Sequence, residues 1–259
     1  MKCPDLRARR VAGCAIAIAL VTIGACSKDP SGSPTSPSPP VQPGQLKRTK
    51  FLAFGDSITA GEISEPTVSA GRVIGFKLIQ VLSAAYPTVL SSMLLSQYAS
   101  QAPSIVVTNA GLSAEKAEFA LPRFNTALDI YRPEVVLLME GYNDICCGNN
   151  EVGVRKTEVG IGEMAAMARS RGARVFIGTL APPQPNGSRS TPRNIVEDAN
   201  AKIREVASAQ GAYLVDVYTA LLPDLAANIG PDGLHPTEIG YRRIAETFFA
   251  AIRADLEVR

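Results

Sequence analysis

The sequence predicts an α/β protein built around a parallel sheet with helices on both faces. Three observations predict it. Short runs rich in β-forming residues recur along the chain, and stretches with three- and four-residue apolar spacing lie between them. The composition, 46% hydrophobic and 19% charged over 259 residues, supplies a core of ordinary size. Polar clusters stand directly after several of the β-rich runs, where open α/β sheets bind their ligands.

The expected strands are Lys50–Phe54, Ile105–Thr108, Val135–Met139, Arg174–Thr179 and Ala212–Val217. Tyr86, Val89, Leu90, Met93, Leu94 and Tyr98 fall on one face of a helix before the second strand. Ile195, Ala199, Ile203 and Val206 do the same before the fifth, and Ile244, Ala245, Phe248, Phe249 and Ile252 near the C-terminus. Strands that alternate with helices imply crossover connections, hence parallel pairing. No internal repeat is visible.

The N-terminal region has a different character. Lys2, Arg7, Arg9 and Arg10 precede an almost wholly apolar run, Val11 to Ala25, which ends at Cys26. This is the pattern of a secretory signal. At 15 residues the run is short for a membrane span, which needs about 20. Ile23-Gly24-Ala25-Cys26 resembles a bacterial lipobox, which implies that Cys26 becomes the lipidated first residue of the mature chain. Ser27 after it favours the outer membrane by the same resemblance. Residues 27–46 hold six of the 19 prolines and no apolar periodicity, so residues 26–46 read as the lipidated Cys and a tether, and 47–259 as one catalytic domain.

Without residues 1–25 the chain carries 22 basic and 23 acidic residues, so the formal charge of +2 belongs to the signal. Neither balance suggests a nucleic-acid partner. A single histidine, His235, excludes sites built from several imidazoles, and no metal or cofactor is expected. Of five cysteines, only Cys146 and Cys147 fall in the folded body, either as two thiols or as an oxidised adjacent pair. The oligomeric state is left open.

Four blocks carry chemistry. Gly55-Asp56-Ser57-Ile58-Thr59 places a serine just after the first strand, where a hydroxyl is a nucleophile if a base is in reach, or otherwise a helix cap. Asn109-Ala110-Gly111 reads as a turn whose glycine N–H is open to an anion. Glu140-Gly141-Tyr142-Asn143-Asp144 offers an amide with two donors, or an Asx-turn. Pro231-Asp232-Gly233-Leu234-His235-Pro236 sets a carboxylate and an imidazole three residues apart, close enough to pair within one turn of chain.

Together these blocks, in this order, resemble the SGNH hydrolase superfamily of GDSL-type esterases and lipases, over residues 50 to about 250. The resemblance implies a flavodoxin-like three-layer α/β/α sandwich with a five-stranded parallel sheet. It implies a catalytic triad of Ser57, Asp232 and His235, and an oxyanion hole of the Ser57 and Gly111 N–H groups and the Asn143 side chain. It implies hydrolysis of carboxylic esters through an acyl-enzyme, with substrates from acyl esters and thioesters to lysophospholipids and acetylated sugars. Two loops are expected to shape the pocket, Ala60–Gly75 and Ala181–Arg193. Neither is apolar enough to demand a long acyl chain, so short acyl or acetyl esters are favoured.

Rival readings fit less well. The α/β-hydrolase elbow Gly-x-Ser-x-Gly has Thr59 where its second glycine belongs. Gly160-Ile161-Gly162 loosely matches a dinucleotide fingerprint but lies in an expected helix. A surface-anchored binding module is the non-enzyme alternative.

Overall fold

The structure, a computed structural model, describes residues 44–146 and 150–258. The expected signal, Cys26 and Cys147 lie outside the described residues. The chain runs β1 (Gln45–Leu46), β2 (Lys50–Gly55), α1 (Ser57–Ala60), β3 (Glu62–Ser69), β4 (Arg72–Gln80), α2 (Tyr86–Gln97), β5 (Val106–Gly111) and α3 (Ala117–Tyr131). It continues β6 (Val135–Met139), α4 (Tyr142–Ile145), α5 (Asn150–Ser170), β7 (Arg174–Gly178), α6 (Arg193–Ala209) and β8 (Tyr213–Val215). It ends α7 (Val217–Leu221), α8 (Leu225–Asn228), α9 (Glu238–Leu256) and β9 (Glu257–Val258).

The central sheet has five parallel strands in the order β5-β2-β6-β7-β8. This is the flavodoxin-like order, with β2 at the point where the winding reverses. From β2 the chain moves to one neighbour, β5. It then crosses back over β2 to β6 and proceeds outward. Right-handed crossovers therefore place α2 on one face and α3, α5 and α6 on the other. The observed packing follows: α3 lies on α5 and α5 on α6, whereas α2 lies on α9. The apolar helix faces read from the sequence meet the sheet. Tyr86, Leu90, Leu94, Ile203, Ile244, Phe248 and Ile252 are all fully buried, and Tyr86 stacks on Phe248 with ring centroids 5.1 Å apart. Gly160 and Gly162 sit inside α5, not after a strand, so no dinucleotide turn exists there.

Three expectations are corrected. Asn109-Ala110-Gly111 is not a turn but the last part of β5, because the parallel pairing with β2 continues as far as Gly55↔Gly111. The first pocket loop is mostly a β-hairpin: β3 and β4 pair from Glu62↔Gln80 to Ser69↔Arg72. Its two-residue turn, Ala70-Gly71, has φ of +49° and +75°, the double positive geometry that matches strand twist. The tether ends before residue 46, since Gln45 and Leu46 pair antiparallel with Val258 and Glu257. Leu46 is buried, and its N–H donates to Gln101 Oε1 at 2.7 Å.

The register Gly55↔Met139 also means that Asp56 and Glu140 leave the sheet side by side. Both carboxyls are buried, at 2% and 0% exposure. Burial pushes Asp56 up to about 7, opposed by the Ile58 N–H and by His235 and reinforced by Asp144 and Glu115. Burial and the neighbouring Asp56 push Glu140 well up as well. An acid whose pKa is raised on folding holds its proton more tightly when folded. Its contribution to stability is complete below the ordinary carboxyl pKa and is lost as pH rises toward 7. For Asp56 the loss is on the order of a few kcal/mol, at about 2–4 °C of Tm per kcal/mol. Thermal unfolding at pH 5 and pH 8 checks this. The wild-type Tm should fall by several degrees across that range. Asp56→Asn, which keeps an acceptor for Ile58, should flatten the fall, and an unchanged pH dependence would contradict the assignment.

Candidate active site

Three strand ends meet at the reversal point. β2 delivers Ser57, β5 delivers Gly111, and β6 delivers Asn143 as the second residue of α4. The segment between α8 and α9 brings Asp232 and His235 over the same edge. Ser57 opens α1, whose cap is Asp56: its carboxylate accepts the Ile58 N–H at 2.9 Å. As the first helical residue, Ser57 has an N–H with no intrahelical acceptor.

Ser57 Oγ lies 2.9 Å from His235 Nε2, and His235 Nδ1 lies 2.6 Å from Asp232 Oδ2. All three residues are buried, at 5%, 1% and 1% exposure. The other carboxylate oxygen, Oδ1, accepts the Leu234 and His235 N–H groups, each at 3.1 Å. Burial works against the Asp232 charge. The His235 ring and these two N–H groups outweigh it and hold the carboxyl below its usual pKa. An ionised Asp232 keeps the proton on Nδ1 and leaves Nε2 to accept from Ser57.

The donors around Ser57 are placed by a second set of contacts. Asn143 Nδ2 donates to the Glu115 carbonyl at 2.8 Å, which leaves its other amide hydrogen to offer. Asp144 accepts the Ala117 N–H at 2.8 Å and the Glu118 N–H at 3.3 Å, so it caps α3 and ties α4 to it. Gly111 is packed against α1: a β-carbon there would stand 2.1 Å from the Ala60 nitrogen. Its N–H donates to Asn109 Oδ1 at 2.9 Å. Of the expected oxyanion donors, the Gly111 N–H is thus engaged within its own strand in this structure.

Arg123 braces this region. It donates through Nε to Glu115 Oε1 at 2.7 Å and through Nη1 to the Ala110 carbonyl at 2.7 Å, and its guanidinium lies 3.8 Å from the Phe54 ring centroid. A second bond joins Nη2 to Glu115 Oε2. Arg123 and Glu115 belong to no motif, and their spacing gives no signal of this role. Asp144 stood within the third block without an assigned role. Cys146 is half-buried, and its Sγ lies 3.8 Å from the Asn143 carbonyl; the adjacent-pair expectation involves Cys147, outside the described residues. Among the described residues, no cluster of His, Cys, Asp and Glu could hold a metal ion, and no helix is long and apolar enough to cross a membrane.

A search of curated proteins found no match. Solved structures share the fold. A lipase/acylhydrolase from Enterococcus faecalis aligns with a TM-score of 0.65 at 22% identity, covering 80% of this chain and 97% of that one. An α/β hydrolase from the metagenome of Lake Arreo, Spain, aligns at 0.61 and 23% identity, covering 79% and 94%. An acetylxylan esterase from Geobacillus stearothermophilus aligns at 0.60 and 20% identity, covering 79% and 94%. The model of the GDSL-like lipase/acylhydrolase family matches residues 53–243, which spans every block described above. The chain belongs to the GDSL-like lipase/acylhydrolase family.

Proposed function

We propose that this protein is a serine esterase that cleaves short-chain acyl or acetyl esters through an acyl-enzyme on Ser57. The observation that carries this reading is the continuous hydrogen-bonded line from Ser57 Oγ through His235 to Asp232, at 2.9 Å and 2.6 Å.

The chemistry follows from the atoms. Ser57 Oγ attacks the ester carbonyl as His235 Nε2 takes its proton. The imidazolium is stabilised by Asp232, whose charge is retained. Negative charge on the former carbonyl oxygen is met by the Ser57 N–H and the second amide hydrogen of Asn143. The Gly111 N–H joins them when it exchanges Asn109 Oδ1 for the oxyanion. Collapse expels the alcohol, which receives the proton from His235. Water then attacks the acyl carbon, His235 accepts a proton from it, and the acid leaves as Ser57 recovers its hydrogen. No step asks for a metal or organic cofactor.

A compact acyl group suits the surroundings. The polar oxyanion-hole candidates Gly111 and Asn143, held by Asn109 and the Glu115 carbonyl, support this reading, as does the presence of an acetylxylan esterase among the proteins that share the fold. The ester's alcohol side would be a small molecule, a lipid or a carbohydrate. We also propose that lipid on Cys26 anchors the protein to a bacterial membrane, the outer membrane being favoured by Ser27.

Hydrolysis of p-nitrophenyl esters from acetyl to palmitoyl, alongside acetylated xylan, tests the substrate reading: kcat/KM should be greatest for acetyl to butyryl groups, and a maximum at long chains would refute the short-chain reading. Ser57→Ala should abolish turnover while circular dichroism stays native. Asp232→Asn should lower kcat by about 10⁴-fold, and Asn143→Ala by about 10²–10³-fold. Substantial turnover in Ser57→Ala would dismiss the assigned nucleophile. Metabolic labelling of the full chain with an alkyne fatty acid tests the anchor; label that persists in Cys26→Ser would rule it out.

A further inference from the structure

The Asp232 peptide is held at both ends by segments far from it in sequence. Its N–H donates to Ser64 Oγ, 3.4 Å away on β3. Its carbonyl accepts the Arg189 N–H at 2.8 Å, and the next carbonyl, Gly233, accepts the Gln184 N–H at 3.0 Å. Arg189 and Gln184 belong to the 181–193 segment, and between them Gly187 lies flat against the acid's backbone. A β-carbon on Gly187 would stand 2.3 Å from both the carbonyl carbon and the oxygen of Asp232. These are backbone atoms, which cannot rotate aside as the end of a side chain does.

Ser64 is itself well held. It is 8% exposed, and a β-carbon on Gly230 would reach within 2.5 Å of its Oγ. The root of its hairpin is tied down on both strands: Tyr241 Oη donates to the Glu62 carbonyl, and the Val81 N–H donates to the Gly61 carbonyl at 2.9 Å. The two segments expected to line the pocket are therefore also the two that grip the acid.

We propose that Ser64 and Gly187 are positioning residues for Asp232, and through it for His235. The proposal rests on the esterase reading. A displaced Asp232 would swing the ring about Nδ1 and carry Nε2 off the Ser57 hydroxyl. Misplacements of about 1 Å are enough to cost on the order of 10² in rate. The role differs from general packing because both contacts bear on the Asp232 backbone and, through it, on the direction of one hydrogen bond, His235 Nδ1–H to Asp232 Oδ2.

His235 is the chain's one histidine, so the far-downfield ring N–H signal of that bond is assignable in tag-free protein by proton NMR. Wild type should show it. Gly187→Ala should shift or abolish the signal and lower kcat on p-nitrophenyl acetate by about 10²-fold with KM little changed. Ser64→Ala should move the signal in the same sense with a smaller loss of kcat, and Ser64→Thr, which keeps the acceptor oxygen, should restore both. If Gly187→Ala does not fold, the Ser64 pair decides the matter. A wild-type signal and wild-type kcat in Ser64→Ala would overturn the proposal, as would a kcat loss in Ser64→Ala that Ser64→Thr fails to reverse. The resonance judges the positioning role even if wild type hydrolyses no ester, an outcome that would instead refute the esterase reading.

Discussion

The pairing of β2 between β5 and β6 is the constraint on which the site depends. A strand at the reversal of the winding has neighbours reached in opposite directions by right-handed crossovers, whose helices lie on opposite faces of the sheet. The crevice left at the carboxyl ends admits Ser57, Gly111 and Asn143 from three separate strands without any long loop. Their approach is limited by contact. Gly111 meets the Ala60 backbone so closely that only a missing side chain allows α1 to lie across β5. Arg123 then locks the rim by engaging the Ala110 carbonyl and Glu115, the residue whose carbonyl holds Asn143.

The site is paid for in buried charge. Asp232 is ionised in a nearly dry position only because three hydrogen bonds point at its oxygens. Burial and the neighbouring carboxyls make Asp56 and Glu140 hold their protons more firmly, with a single backbone N–H opposing in each case. Buried carboxyls of this kind lower stability as pH rises.

Much of this was legible from residue order. The strand Val135–Met139 coincides with its observed bounds, since five consecutive apolar residues between polar ones leave little choice for a buried strand. The helix faces of α2, α6 and α9 followed from three- and four-residue spacing. Ser57, His235 and Asp232 were singled out from short motifs, and the structure brings them into hydrogen-bond contact. The β3–β4 hairpin was not foreseen. Its turn is Ala-Gly rather than a strong Asn-Gly signal, Pro66 interrupts β3, and a bulge after Thr67 breaks the alternation. The end of β5 was read as a turn because Asn-Ala-Gly has turn composition, and parallel pairing with β2 overrode it. The roles of Arg123, Asp144, Ser64 and Gly187 are not legible in the sequence for a common reason. Their partners lie on other elements, and a contact across such separations leaves no local pattern.

The account stands on Ser57 being a nucleophile that His235 activates. The most direct measurement is intact-mass analysis after exposure to a fluorophosphonate. The wild-type protein should gain the mass of one phosphonyl group, and peptide mapping should place it on Ser57. The His235→Ala protein should gain it far more slowly. An unmodified wild-type protein, or an adduct on any other residue, would contradict the account.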